Sequence, residues 1–117
     1  PELPEVESTV RYLRERVEGL VISDASVTWA RTIHTHTPTK FTELVRQTTI
    51  HEVFRRGKFV GMRLGFQSPL FLFVHLRMSG SLDVVSTEST ASAHDRVIIF
   101  LHGGKTIRFN DTRKYLC

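Results

Sequence analysis

The sequence predicts an α+β domain, a two-layer antiparallel β-sandwich flanked by two helices. Three features carry that reading. Apolar residues recur at helical spacing only in two early segments, the apolar period changes to two from residue 50 onward, and the links between elements are short and turn-rich.

The elements follow in order. From Pro4 to about Glu18, Val6, Val10, Leu13 and Val17 share one helical face with charge on the other, and Gly19 closes the helix. LVISDASVTWA (20–30) has strand character, and THTPTKFTELVRQTT (35–49) holds a short second helix beginning near Pro38. IHEVFRRG (50–57), KFVGMRLG (58–65), PLFLFVHL (69–76) and GSLDVV (80–85) alternate as strands do. STESTASAH (86–94) is small and polar, a loop. RVIIFLH and KTIRFND then form a hairpin turned at Gly103 and Gly104.

At 117 residues with 40% hydrophobic content, one folded domain is expected. No run of about 18 apolar residues exists to span a membrane, and no basic, apolar leader stands in front, so a cytoplasmic protein is expected. A single cysteine, Cys117, allows neither an internal disulfide nor a multi-cysteine zinc site within this chain. Its place as the last residue suggests a piece of something longer. The net charge of +4 is uneven: residues 1–50 hold 6 Lys/Arg against 7 Asp/Glu, and residues 51–117 hold 10 against 5. A polyanion, most often nucleic acid, is the natural partner of that second half.

Four stretches offer more than scaffold. The first is PELPEVE at the start. An N-terminal proline is the only proline with a free amine, and a secondary amine attacks an aldehyde carbon to give a positively charged iminium. Its unperturbed pKa of roughly 7.7 to 8 leaves a neutral fraction near pH 7. Glu2 beside it supplies the proton donor that carbinolamine dehydration needs. The plainer reading is a trimmed methionine, Pro4 as an early helix residue, and Glu2, Glu5 and Glu7 complementing the helix macrodipole.

The second stretch is FRRGKFV (54–60), where Gly57 permits a tight turn and Lys58 projects from its tip with Arg55 or Arg56. Such a tip suits a phosphate, or is simply a solvated hairpin end. In HLRMSGSL (75–82) the chain turns through Ser79 and Gly80. Met78 is there either a core gap-filler or a wedge for a base stack, and His75 either a buried, satisfied ring or a phosphate donor. In RFNDTRKYL (108–116), Arg113 and Tyr115 are displayed two apart on one side of an extended chain, a pairing that suits bases and an ordinary exposed strand alike. His34 and His36 share a face without a third nearby ligand, so a polar surface is the better reading than a metal site.

Taken together, PELPEVE, RRGKF, HLRMSGSL and FNDTRKY, in that order, resemble the N-terminal domain of the formamidopyrimidine-DNA glycosylases, bacterial repair enzymes for oxidised purines, over essentially all 117 residues. The endonuclease VIII branch is less similar, since it typically has glycine where Leu3 stands. The resemblance implies roles. Pro1 is the nucleophile that attacks C1′ of a nucleotide flipped from the stack, Glu2 is general acid and base, and Glu5 supports it through hydrogen bonds. Lys58 and His75 hold phosphates around the lesion. Met78, Arg113 and Tyr115 fill the vacated space, with Arg113 facing the orphaned cytosine.

The implied activity is base-excision repair by a bifunctional glycosylase and abasic-site lyase acting through β,δ-elimination. Its partner is damaged double-stranded DNA, and a monomer is expected. A DNA-binding module of the same fold without catalysis is the alternative. Two departures stand out: Tyr115 occupies a position where the family usually has Phe, and YLC replaces the usual Phe-Gly. The resemblance also implies a helical second domain and a four-cysteine zinc finger beyond this chain. Residues 1–117 are thus expected to be the catalytic N-terminal domain alone, with no cofactor of its own and Zn2+ belonging to the absent finger.

Overall fold

The computed structural model describes residues 2–65 and 68–112. Helix α1 spans Leu3–Val17 and is followed by strand β1 (Ile22–Val27), a 3-10 turn at Ala30–Thr32 and helix α2 (Pro38–Val45). Strands β2 (Glu52–Arg56), β3 (Phe59–Leu64), β4 (Leu70–His75), β5 (Gly80–Ser86), β6 (Asp95–Leu101) and β7 (Lys105–Asp111) complete it. They form two antiparallel sheets, one ordered β1-β6-β7-β5 and the other β2-β3-β4.

The inner faces meet in one core. Val53, Val60, Met62 and Leu64 come from the smaller sheet, Leu82, Val97, Ile99, Leu101 and Ile107 from the larger, and Val6, Val10, Leu13 and Val17 from α1. The four α1 residues expected on one face are each 2% exposed or less, so the helical spacing marks the buried stripe correctly. A cavity of about 540 Å3 lies between the sheets toward β4, α2 and segment 29–36, lined by Met62, Leu72, Val74, Ile99, Ile107 and Trp29 among others.

Helix α1 closes the opposite side by serving the open edges of both sheets. At the β2 edge, the Val53 amide donates to the Glu18 carboxylate at 2.8 Å and the Val53 carbonyl accepts from the Arg14 guanidinium at 2.9 Å. At the β5 edge, the Tyr12 hydroxyl accepts from the Val84 amide at 3.0 Å and donates to its carbonyl at 3.4 Å. Edge strands otherwise present unpaired backbone groups that invite foreign pairing. Here three side chains of one helix stand in for a neighbouring strand.

The 20–30 segment departs from expectation. β1 stops at Val27, and Thr28 stays fastened to β6 as the chain leaves the strand, its hydroxyl donating to the Asp95 carbonyl at 2.6 Å and its amide to that of Arg96 at 2.9 Å. Trp29 then leads into the 3-10 turn, with the Arg96 guanidinium 5.9 Å from its ring centre. The expected 86–94 loop is fastened from below: Arg108 donates to the Ser89 and Thr90 carbonyls and pairs with buried Asp95 at 3.7 Å.

Replacing Tyr12 with Phe keeps the packing and strips both hydrogen bonds from Val84. The expected cost is about 1 to 2 kcal/mol, read as a lowered urea midpoint with an unchanged slope; an unchanged midpoint contradicts the edge-serving role of α1.

Candidate active site

One end of the sandwich gathers the sequence-predicted residues that the structure describes, Glu2, Glu5, Lys58, His75 and Met78. The β2–β3 hairpin turns through Gly57 and Lys58, with Arg56 paired to Phe59 on either side. Gly57 has φ of +58°, and a positive φ at the first of two turn residues is the geometry that matches the twist of the flanking strands. Lys58 is thereby exposed at the tip. Phe59 pairs with His75 at the end of β4, so the Arg77–Ser79 turn that follows lies at the same end. Gly80 pairs with Asp111, which brings the end of β7 there too.

Helix α1 runs antiparallel to β2, with Glu18 and Arg14 at Val53 and Glu7 at Arg55. Its N-terminal turn therefore points to the hairpin tip. The Arg55 guanidinium joins the two, donating to the Glu7 carboxylate and, at 3.0 Å, to the Gly57 carbonyl. Glu2 is the N-cap of α1, and its amide donates to the Glu5 carboxylate at 3.2 Å, the reach-back half of a capping box. Glu2 and Glu5 are both exposed. Pro1, Arg113 and Tyr115 lie outside the described residues.

Of the two arginines expected to accompany Lys58, the structure turns one away. Arg55 does not project beside Lys58 but braces the hairpin against α1. Arg56 lies with its guanidinium 5.3 Å from the Phe73 ring centre.

The turn after β4 is held at three points. The Arg77 amide donates to His75 Nδ1 at 3.0 Å, the Gly80 amide to the Leu76 carbonyl at 2.8 Å, and the Ser79 hydroxyl to the Asp111 carboxylate. Arg77 takes the positive φ, +56°, that glycine would have been expected to supply. Gly80 already belongs to β5; a Cβ there would stand 2.5 Å from the Leu76 carbonyl oxygen, so its glycine serves close approach rather than turning. Met78 is 81% exposed at the tip, which removes the core-filling reading. Ser79 and Asp111 are 32 residues apart, so no short-range motif announced their link.

His75 has a definite chemical state. With Nδ1 accepting from the Arg77 amide, a neutral ring carries its proton on Nε2, which has no partner among the described residues. Burial lowers its pKa below the ordinary 6.5, helped by nearby positive charges including Arg77 and Lys58. The ring is thus a neutral donor near pH 7. His34 and His36 are exposed, and no cluster of three metal-ligating side chains exists among the described residues. With one cysteine in the chain, the residues present do not fit a four-cysteine zinc site, and no step here runs through the metal. No helix among the described residues is long and apolar enough to cross a membrane.

A lowered histidine pKa means that the unfolded chain binds the proton first as pH falls. The His75 contribution to stability is therefore complete above about pH 6.5 and is lost as pH drops through the folded-state pKa. His75→Asn retains an acceptor for the Arg77 amide but does not titrate. Urea midpoints measured from about pH 7.5 down to 5 are expected to fall less steeply in the variant than in the parent chain; equal slopes contradict the assignment.

Comparison with known proteins places this geometry. The family model described as the formamidopyrimidine-DNA glycosylase N-terminal domain matches residues 1–117. The formamidopyrimidine-DNA glycosylase of Herpetosiphon aurantiacus is 37% identical over 116 residues, covering 98% of this chain and 42% of that protein. That of Protochlamydia amoebophila is 38% identical over 116 residues, covering 98% and 41%. The crystal structure of Lactococcus lactis Fpg with DNA containing an abasic site superposes with a TM-score of 0.90 at 27% identity, covering 98% of this chain and 42% of that one. The same enzyme with DNA containing N7-benzyl-Fapy-dG gives 0.90 at 28%, covering 98% and 41%. This chain thus spans about two fifths of the length of the proteins it matches. With its two helices, two antiparallel sheets and full-length match to the N-terminal domain, the chain belongs to the formamidopyrimidine-DNA glycosylase family.

Proposed function

We propose that residues 1–117 are the catalytic N-terminal domain of a bifunctional DNA glycosylase and abasic-site lyase that acts on oxidised or ring-opened purines in duplex DNA. The observation that carries this reading is the convergence of the α1 N-terminus, the Lys58 turn and the Met78 turn at one end of the sandwich, in a chain of this family.

The residues divide the work by their chemistry. The Pro1 amine attacks C1′ of the flipped nucleotide, and the base departs with the electrons of the glycosidic bond and takes up a proton. Ring opening leaves a cationic iminium between Pro1 and C1′. That electron sink acidifies C2′, so loss of a C2′ proton expels the 3′ phosphate, and a second elimination expels the 5′ phosphate. One nucleophile thereby serves excision and scission. Glu2, at the N-cap, moves protons around the sugar, and Glu5 fixes the Glu2 backbone. Lys58 offers an exposed ammonium to phosphate and His75 a neutral Nε2–H donor. Met78 stands exposed on a pinned turn, as a wedge requires, and Arg113 and Tyr115 complete the filling of the vacated space.

Borohydride reduction of the chain with abasic-site duplex is expected to yield a covalent adduct that maps to Pro1. A version retaining methionine ahead of Pro1 is expected to yield none. An adduct that maps to Lys58, or that survives blocking of the prolyl amine, contradicts the mechanism.

A further inference from the structure

The outer face of the β2-β3-β4 sheet carries an aromatic array that the proposed chemistry does not use. Its cross-strand rows are Glu52, Arg63 and Phe71; Phe54, Gly61 and Phe73; and Arg56, Phe59 and His75. Phe59, Phe71 and Phe73 are 40%, 48% and 39% exposed, far above what a packed sheet face shows. The rings are ordered against one another. Phe54 meets Phe73 edge-on at 5.8 Å and Phe71 at 6.2 Å, Phe59 meets Phe73 at 6.4 Å, and the Phe71 and Phe73 planes lie within 16° of parallel. Gly61 makes the array possible: a Cβ there would lie 2.5 Å from the tip of the Phe54 ring, which instead lies across the bare strand.

The charges around these rings name the occupant. The Arg56 guanidinium sits by Phe73, Lys58 occupies the adjoining turn, and the one carboxylate in the rows, Glu52, is paired with Arg63 at 3.6 Å. The array also reaches the proposed phosphate site directly, since Phe59 meets the His75 ring edge-on at 4.9 Å. Exposed aromatic rings on a sheet, bordered by cations and continuous with phosphate donors, form a stacking platform for bases outside a duplex. Phe and Arg suit a protein interface as well, but Lys is depleted there, and Lys58 together with the His75 donor borders this face.

We propose that this face binds an unpaired DNA strand, with bases against the Phe71 and Phe73 rings and phosphates toward Arg56 and Lys58. The proposal rests on the DNA-directed reading above and adds a surface to it. The probe is a labelled oligothymidylate about twelve nucleotides long, titrated by fluorescence anisotropy near physiological salt. The parent chain is expected to bind it. The double variant Phe71→Leu, Phe73→Leu keeps the apolar area but removes the ring faces, and is expected to weaken binding about tenfold or more. Phe73→Tyr keeps the ring and is expected to retain binding, with unchanged circular dichroism showing that each variant folds. Failure of the parent chain to bind, equal affinity of the Leu variant, or self-association that the Leu variant preserves overturns the proposal. Borohydride trapping on abasic-site duplex separates the two readings. A Leu variant that still traps but loses oligothymidylate supports the surface, and ring-dependent oligothymidylate binding in a chain that never traps keeps the surface while removing the glycosylase.

Discussion

Helix α1 must satisfy two sheet edges at once, and the rest of the structure depends on that constraint. Four α1 side chains at helical spacing fill the core, but burial alone would let the helix slide along its groove. Arg14 and Glu18 on Val53, and Tyr12 on Val84, fix its position along both sheets through directional bonds to backbone groups. An open edge that lost these partners would leave polar groups unpaired at the core margin. The helix N-terminus, where the proposed nucleophile belongs, is thus set by hydrogen bonds made three and four turns away.

The same logic runs through the far end. Arg55 converts the position of α1 into the position of the Lys58 turn, and His75 converts the end of β4 into the shape of the Met78 turn. Ser79 and Asp111 then tie that turn to the end of β7, whose carbonyl at Asp111 also accepts from Arg96 at 3.0 Å. Each turn is held by a side chain of its own leading strand, and tied to another segment through Glu7 in one case and Asp111 in the other. Turns that enter a complex already fastened in this way lose less binding energy to ordering.

Much of this was legible in the sequence. Val6, Val10, Leu13 and Val17 gave α1 its buried face, period two gave the strands, and Gly57 and the Gly103–Gly104 pair marked hairpin turns that take positive φ. The motifs located the segments that meet at one end, and Met78 stood out as an unbranched residue in a turn. Long-range partners were not legible. Strand alternation puts Arg55 and Arg56 on opposite faces, but nothing local names Glu7 as the partner of one or Phe73 as that of the other. The end of β1 is likewise illegible, because the turn into Ala30–Thr32 interrupts a run whose composition continues to favour a strand. Pro1, Arg113 and Tyr115 remain motif-based assignments, and their roles belong to the proposed mechanism.

The proposed function makes this end of the sandwich a DNA surface. Chemical-shift mapping of the isotopically labelled chain with an abasic-site duplex tests it most directly. The account predicts that the amides of Glu2 and Lys58, the His75 ring and the Met78 methyl shift together while Gly65, Gly103 and Gly104 at the opposite end stay still. Shifts centred on those glycines, with the Lys58 and Met78 turns silent, would contradict it.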